Sequence, residues 1–127
     1  MIDKKFTYAV VGASNNEEKY GHKVFKDLLV WWYHVIAINP NEEKILDHTS
    51  YPTLSAYAWT IDVVIFVVPP QVTEKVLEEV RDLWIKNVRM QPGAQSSQAI
   101  SFCEKCGINC VHDACIMIQR NSPKGLT

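Results

Sequence analysis

The chain has 127 residues, 47% of them hydrophobic and 21% charged, and thirteen Lys+Arg against fourteen Asp+Glu leave a formal net charge of −1. That length suits one compact domain spanning residues 1–127, and the apolar share excludes disorder. The charge balance argues against a dedicated nucleic-acid binder, whose basic excess clusters on one face. The longest clean apolar run, residues 63–68, is far short of the roughly 20 residues that a membrane helix needs.

Along the chain, short apolar runs alternate with helical patterns. The opening Met1-Ile2-Asp3-Lys4-Lys5 has no apolar stretch behind its charges, which predicts no secretory signal and a cytoplasmic protein. Tyr8-Ala9-Val10-Val11-Gly12 reads as a buried strand ending on glycine. Val24, Phe25, Leu28 and Leu29 recur at helical spacing behind Gly21. Val35-Ile36-Ala37-Ile38 is a second strand, closed by Asn39-Pro40. Residues 41–60 are polar, with a very short edge strand expected near 48–51. Residues 62–68 form the strongest strand, stopped by Pro69-Pro70. Val72, Val76, Leu77, Val80, Leu83 and Trp84 make an amphipathic helix, and residues 87–91 another strand before Pro92-Gly93. Ile100, Cys103 and Cys106 place a last helix, ended by Gly107, with a final strand over 108–111. From Asn121 onward the chain is expected to fray.

This alternation predicts an α/β, doubly wound, mostly parallel sheet with helices on both faces. Ligands of such sheets bind at the carboxyl ends of the strands, where the strand order reverses. The loops expected there, residues 12–21, 39–41, 69–71 and 91–95, all carry Gly, Pro or Asn. In the first, amides after Gly12 and a helix start near Gly21 could cradle phosphate, but the spacing is neither Gly-x-Gly-x-x-Gly nor a P-loop. An ordinary strand-to-helix turn stays equally open. No acidic residue ends the second strand, which counts against NAD.

The ordered set Gly12-Ala13-Ser14, Tyr20-Gly21, Val35-Ile36-Ala37-Ile38-Asn39-Pro40, Tyr51-Pro52-Thr53-Leu54-Ser55 and Ile61-Asp62-Val63-Val64 resembles the small stand-alone CoA-binding proteins. These are similar to the CoA-binding domain of the succinyl-CoA synthetase α subunit. Val67-Val68-Pro69-Pro70, Met90-Gln91-Pro92-Gly93 and His112-Asp113-Ala114-Cys115-Ile116 extend the likeness. The resemblance implies a Rossmann-like domain that binds coenzyme A or an acyl-CoA and has no catalysis of its own. It implies phosphate on the amides around Ala13, Ser14 and Asn15, and a nucleotide side shaped by Asn39 and Pro40. Val68, Pro69 and Pro70 would lie against adenine or ribose, with Gln91 and Gly93 bordering the pantetheine arm. Tyr20 and Gly21 open the helix behind the loop, and Lys19, His22 and Lys23 would supply positive charge against Glu17 and Glu18.

His112-Asp113-x-Cys115 invites a thiol nucleophile, but on an extended segment those side chains need not meet. Cys103-x-x-Cys106 with Cys110 and His112 could be drawn as zinc ligands. Two of them fall on a predicted helix and one in a strand, so buried free thiols are the better account, a helix-to-strand disulfide being the alternative.

The chain departs from the family pattern in its aromatics. Val30-Trp31-Trp32-Tyr33-His34, Ala56-Tyr57-Ala58-Trp59-Thr60 and Trp84 stand where polar or glycine-containing turns are usual. Each segment precedes a strand, so each belongs to the sheet edge opposite the ligand cleft. Such a rim predicts a protein-binding surface, for a homodimer or a foreign protein partner, and reads as a redesign on a natural scaffold. Core capping by the tryptophans is the competing account.

Overall fold

A computed structural model describes residues 3–112 and 116–117. Seven strands, β1 (Thr7–Val11), β2 (His34–Ile38), β3 (Lys44–Ile45), β4 (His48–Tyr51), β5 (Val63–Phe66), β6 (Asn87–Met90) and β7 (Asn109–His112), form one sheet in the order β3-β4-β2-β1-β5-β6-β7. All neighbours pair in parallel except β3 with β4, whose Lys44↔Thr49 and Ile45↔His48 register is antiparallel. Three helices, α1 (Tyr20–Val30), α2 (Pro70–Asp82) and α3 (Ser97–Cys106), cross between parallel strands. The fold is therefore the doubly wound, Rossmann-like α/β architecture that the alternation predicts. The strand order reverses at β1, with β2 on one side and β5 on the other.

The near-continuous apolar runs of β1, β2 and β5 are explained by burial on both faces. Tyr8, Val10, Val35, Ala37, Val63 and Ile65 point to one face and pack with Val24, Phe25 and Leu28 of α1. Ala9, Val11, Ile36, Ile38, Val64 and Phe66 point to the other and pack with Leu77 and Val80 of α2 and Ala99 and Cys103 of α3. Buried Tyr8 keeps its hydroxyl satisfied, accepting from Asp3 N (2.8 Å) and donating to Asp3 O (2.9 Å). Burial pushes its pKa up to about 12.

The polar stretch after β2 holds more structure than its composition suggests. It contains the two-residue β3 and a short 3₁₀ helix, Leu54–Ala56, besides the expected edge strand. The strand expected over residues 62–68 is trimmed to Val63–Phe66, because the chain leaves the sheet toward Pro69. No helix among the described residues is long and apolar enough to cross a membrane.

The helices α1, α2 and α3 end alike. Tyr33 N donates to Leu28 O, Ile85 N to Val80 O and Ile108 N to Cys103 O, at 2.9–3.1 Å, while Trp32, Trp84 and Gly107 donate to Leu29, Arg81 and Glu104. These are Schellman closures, which put the residue after the cap in the left-handed region. Gly107 suits that position at φ 70°, but Trp32 (φ 65°) and Trp84 (φ 59°) hold it without glycine's freedom.

Candidate functional site

The loops that leave β1, β2 and β5 converge on a cleft of about 680 Å³ at the strand-order reversal. Gly12, Ser14, Lys19, Tyr20, Gly21, Asn39, Pro40, Val68 and Pro69 all line it, nine of the residues expected there. Two glycines make its narrow end. A Cβ on Gly12 (φ +102°) would strike Val67 O and stand 2.7 Å from Val68 Cγ1, and one on Gly21 would strike the carbonyl of Gly12. The first turn of α1 thus lies directly on the backbone that leaves β1.

The side chains around that end are held by the protein itself. Asn39 Nδ2 donates to Ala13 O (2.8 Å) and its Oδ1 accepts from Asn41 N (2.8 Å), tying the first loop to the end of β2. Ser14 Oγ accepts from Asn16 N at 3.0 Å. What remains to face the cleft is backbone, apolar side chain, charge and the polar side chains of Tyr20, Asn41 and Thr53.

That charge is positive. Lys19, Lys75 and Glu79 are the charged residues in the lining. The Glu79 carboxylate already accepts from Leu54 N (3.1 Å), Ser55 N (3.1 Å) and Ser55 Oγ (2.8 Å). Neither lysine is in an ion pair among the described residues. Two helix N-termini add to this field. Neither α1, capped by Lys19, nor α2, capped by Pro69, has a side-chain cap or an acidic residue in its first turn. By contrast α3, away from the cleft, is closed by Ser96 Oγ accepting from Ala99 N at 3.0 Å. An anion would therefore meet open helix ends and unneutralised cations together.

Several expected residues lie elsewhere. Ala13 is fully buried in the core. Asn15 points away, because its amide donates to Glu42 Oε2 (2.7 Å) and Lys44 O (2.8 Å) and accepts from Leu46 N (3.2 Å), anchoring β3. His22 is buried, with Nδ1 2.9 Å from Ser14 O, and borders a separate groove together with Glu17 and Lys23. Pro70 starts α2 without lining the cleft. Gln91 is fully buried beneath its turn, with Oε1 accepting from Ile116 N (3.1 Å) and Nε2 without a partner among the described residues. Gly93 is exposed at φ +96°. The sequence reading missed Lys75. The signal was present, since Val72, Lys75, Val76 and Glu79 share one face of α2 at i, i+3, i+4 and i+7, and all four line the cleft.

Four of the aromatics line two grooves. Tyr33 is half-buried, packed edge-on against Tyr8 at 5.7 Å. With Tyr57 and Trp59, themselves in contact at 5.5 Å, it lines a groove of about 450 Å³ beside β2 and β4. Trp84 lines a different groove of about 520 Å³ at the β6–β7 end, with Cys106 and Ile108. Trp32 and Trp84 remain 86% and 82% exposed, Trp59 71% and Trp31 48%.

Among the described residues no cluster could hold a metal ion, and Cys115 lies outside them. Cys103 is buried, Cys106 exposed and Cys110 half-buried, its sulfur 3.9 Å from Met90 Sδ. A hydrogen bond from the Cys103 thiol and the nearby charge of His112 bring Cys110 down to about 7, while the same bond and burial push Cys103 up. Alkylation of Cys110, followed by peptide mass spectrometry, should therefore accelerate through pH 7 rather than through the usual thiol range near 8.5. Cys103→Ser, with its hydroxyl in place of the thiol, should shift that midpoint; an unchanged midpoint contradicts the pairing.

The CoA binding domain family model matches residues 6–121. The α subunit of ADP-forming acetate–CoA ligase II from Pyrococcus furiosus is 32% identical over 92 residues, 69% of this chain and 20% of that protein. The chain spans 10% to 20% of the length of the first curated relatives it matches. A conserved hypothetical protein from Pyrococcus furiosus superposes with a TM-score of 0.86 at 37% identity, over 89% of this chain and 97% of that one. Prb, a protein redesigned for binding, superposes at 0.83 and 28% identity, over 88% and 79%. The redesign is a property of that protein.

Proposed function

The chain belongs to the CoA-binding domain family, and from that premise we propose that its cleft binds coenzyme A and that the protein acts there as a cytoplasmic binding module, without bond-making chemistry of its own. One observation carries this reading. Two uncapped helix ends and two unneutralised lysines meet in a cleft whose single carboxylate is already occupied. Coenzyme A is polyanionic with a flat base and a long neutral arm, so it needs both this charge and the apolar wall of Val68, Pro69 and Val72. The diphosphate would sit on the Gly12–Ser14 backbone and the start of α1. Pantetheine would run toward the Gln91–Gly93 turn, carrying an acyl group on its thiol in acyl-CoA. NAD fits less well, because the residue that follows β2 is Asn39, whose amide is spent on Ala13 and Asn41.

Amide resonances test the assignment. On adding coenzyme A, Gly12, Ser14, Asn39 and Val68 should shift, while Asn15 and His22 should move less. Shifts confined to the α1 groove around His22 would refute it.

A second reading concerns the aromatics, which would bind a protein partner or a second copy of this chain. It is favoured by Trp32 and Trp84, which occupy strained left-handed positions while largely exposed. A residue that costs stability and adds no core contact needs another reason to stand there. The groove of Tyr33, Tyr57 and Trp59 and the groove of Trp84 would be two contact regions on this edge.

A further inference from the structure

Building on the coenzyme A reading of the cleft, we propose that Lys75 is the residue that recognises the 3′-phosphate of the ligand, with Val72 and Val76 as the apolar seat of its adenosine. The argument starts from the face of α2. Val72, Lys75, Val76 and Glu79 form one stripe along the cleft wall. The two valines present aliphatic surface, and Val72 is 39% exposed although it sits in a concave site. Exposed aliphatic carbon in a cleft is suited to one face of a flat, uncharged ring.

Charge separates the ends of the stripe. Glu79 is tied to Leu54 and Ser55 and does not pair with the lysine, and with Lys19 and Lys75 against this one carboxylate the lining keeps a positive excess. Lys75 is exposed and stands on the ridge between the cleft and a neighbouring groove that holds Glu74 and Glu78. It lies six residues beyond the Pro69 cap, roughly 9 Å along the helix axis. The other cation, Lys19, caps α1 beside Gly12. The cleft thus has two cationic poles, one at the glycine backbone and one on α2. Coenzyme A carries two separate phosphate groupings, a diphosphate and a ribose 3′-phosphate, with one ribose between them. The glycine pole takes the diphosphate, because open helix amides and Lys19 meet there. The α2 pole takes the remaining phosphate. Dinucleotides such as NAD carry no charge at that position, so Lys75 would be the selecting residue.

The test is calorimetric titration of the protein and its Lys75→Gln and Lys19→Gln variants with coenzyme A and with 3′-dephospho-coenzyme A. The unaltered chain should bind coenzyme A about tenfold more tightly than the dephospho form, the low end for a charge-assisted contact at an exposed position. Lys75→Gln should lose that discrimination and bind both like the dephospho form, and Lys75→Arg should restore it. Lys19→Gln should weaken both ligands alike. If the unaltered chain binds both forms equally, or if Lys75→Gln still discriminates, the assignment of Lys75 is overturned while the coenzyme A reading stands. If it binds neither form, that reading falls and this proposal with it.

Discussion

Gly21→Ala should unfold the narrow end of the cleft and abolish ligand binding there. The added methyl has no room, since its position coincides with the carbonyl of Gly12 and lies within 2.8 Å of that residue's carbonyl carbon. Both obstacles are backbone, so no rotamer change relieves them. The start of α1 must lift from the end of β1, and lifting it loosens Val24 and Phe25, which are fully buried beneath the helix. Overpacking of a tight contact costs about 1–3 kcal/mol and more where backbone must move. A fall in Tm on the order of 10 °C is therefore expected. Gly93→Ala is the control, with nothing within 4 Å of the added carbon and only the φ of +96° against it. Thermal unfolding of the two variants decides it. Equal, small losses would mean that the α1–β1 contact has slack.

Replacing Trp32 and Trp84 together by glycine should stabilise the protein. Each tryptophan closes a Schellman turn in the left-handed region, which costs an L-residue about 1–2 kcal/mol. Glycine removes that cost and returns about half of it through its larger unfolded-state freedom. The net gain is roughly 0.5–1 kcal/mol per site. The turns end helices on opposite faces of the sheet, so the gains should add, raising Tm by about 5 °C. Concentration-dependent mass in the same samples reads the second reading of function. A stabilised double variant that has lost self-association would mark these tryptophans as kept for contact. A destabilised one would show that their rings contribute more to the folded chain than their 86% and 82% exposure suggests.

Most of the fold was legible because its strands are buried on both faces. Tyr8 to Val11, Val35 to Ile38 and Val63 to Phe66 have no polar residue to blur them, and Gly107 marks a helix end by its own chemistry. The segment between β2 and β5 was legible only in its edge strand, His48–Tyr51. Its β3 is two residues long and is held by the side chain of Asn15 from the far side of α1, a contact that no local pattern carries. The same contact explains why Asn15, placed with the phosphate amides by position, faces away from the cleft. His22 was read as a positive charge for the ligand, yet as the third residue of α1 it turns inward to Ser14. Lys75 was hidden in a helix read for its core-facing side, Leu77 and Val80, rather than for the stripe beside it. The tryptophans were read as one rim because each precedes a strand. Sheet order separates β2 from β6 by two strands, and Trp84 accordingly lines its own groove.

The most direct test of the central claim is calorimetric titration of the purified protein with coenzyme A, with NAD as the comparison ligand. Saturable heat at one site for coenzyme A, with none for NAD at the same concentrations, is the predicted result. No heat from coenzyme A, or equal binding of both, would contradict the assignment of the Gly12–Lys75 cleft as a coenzyme A site.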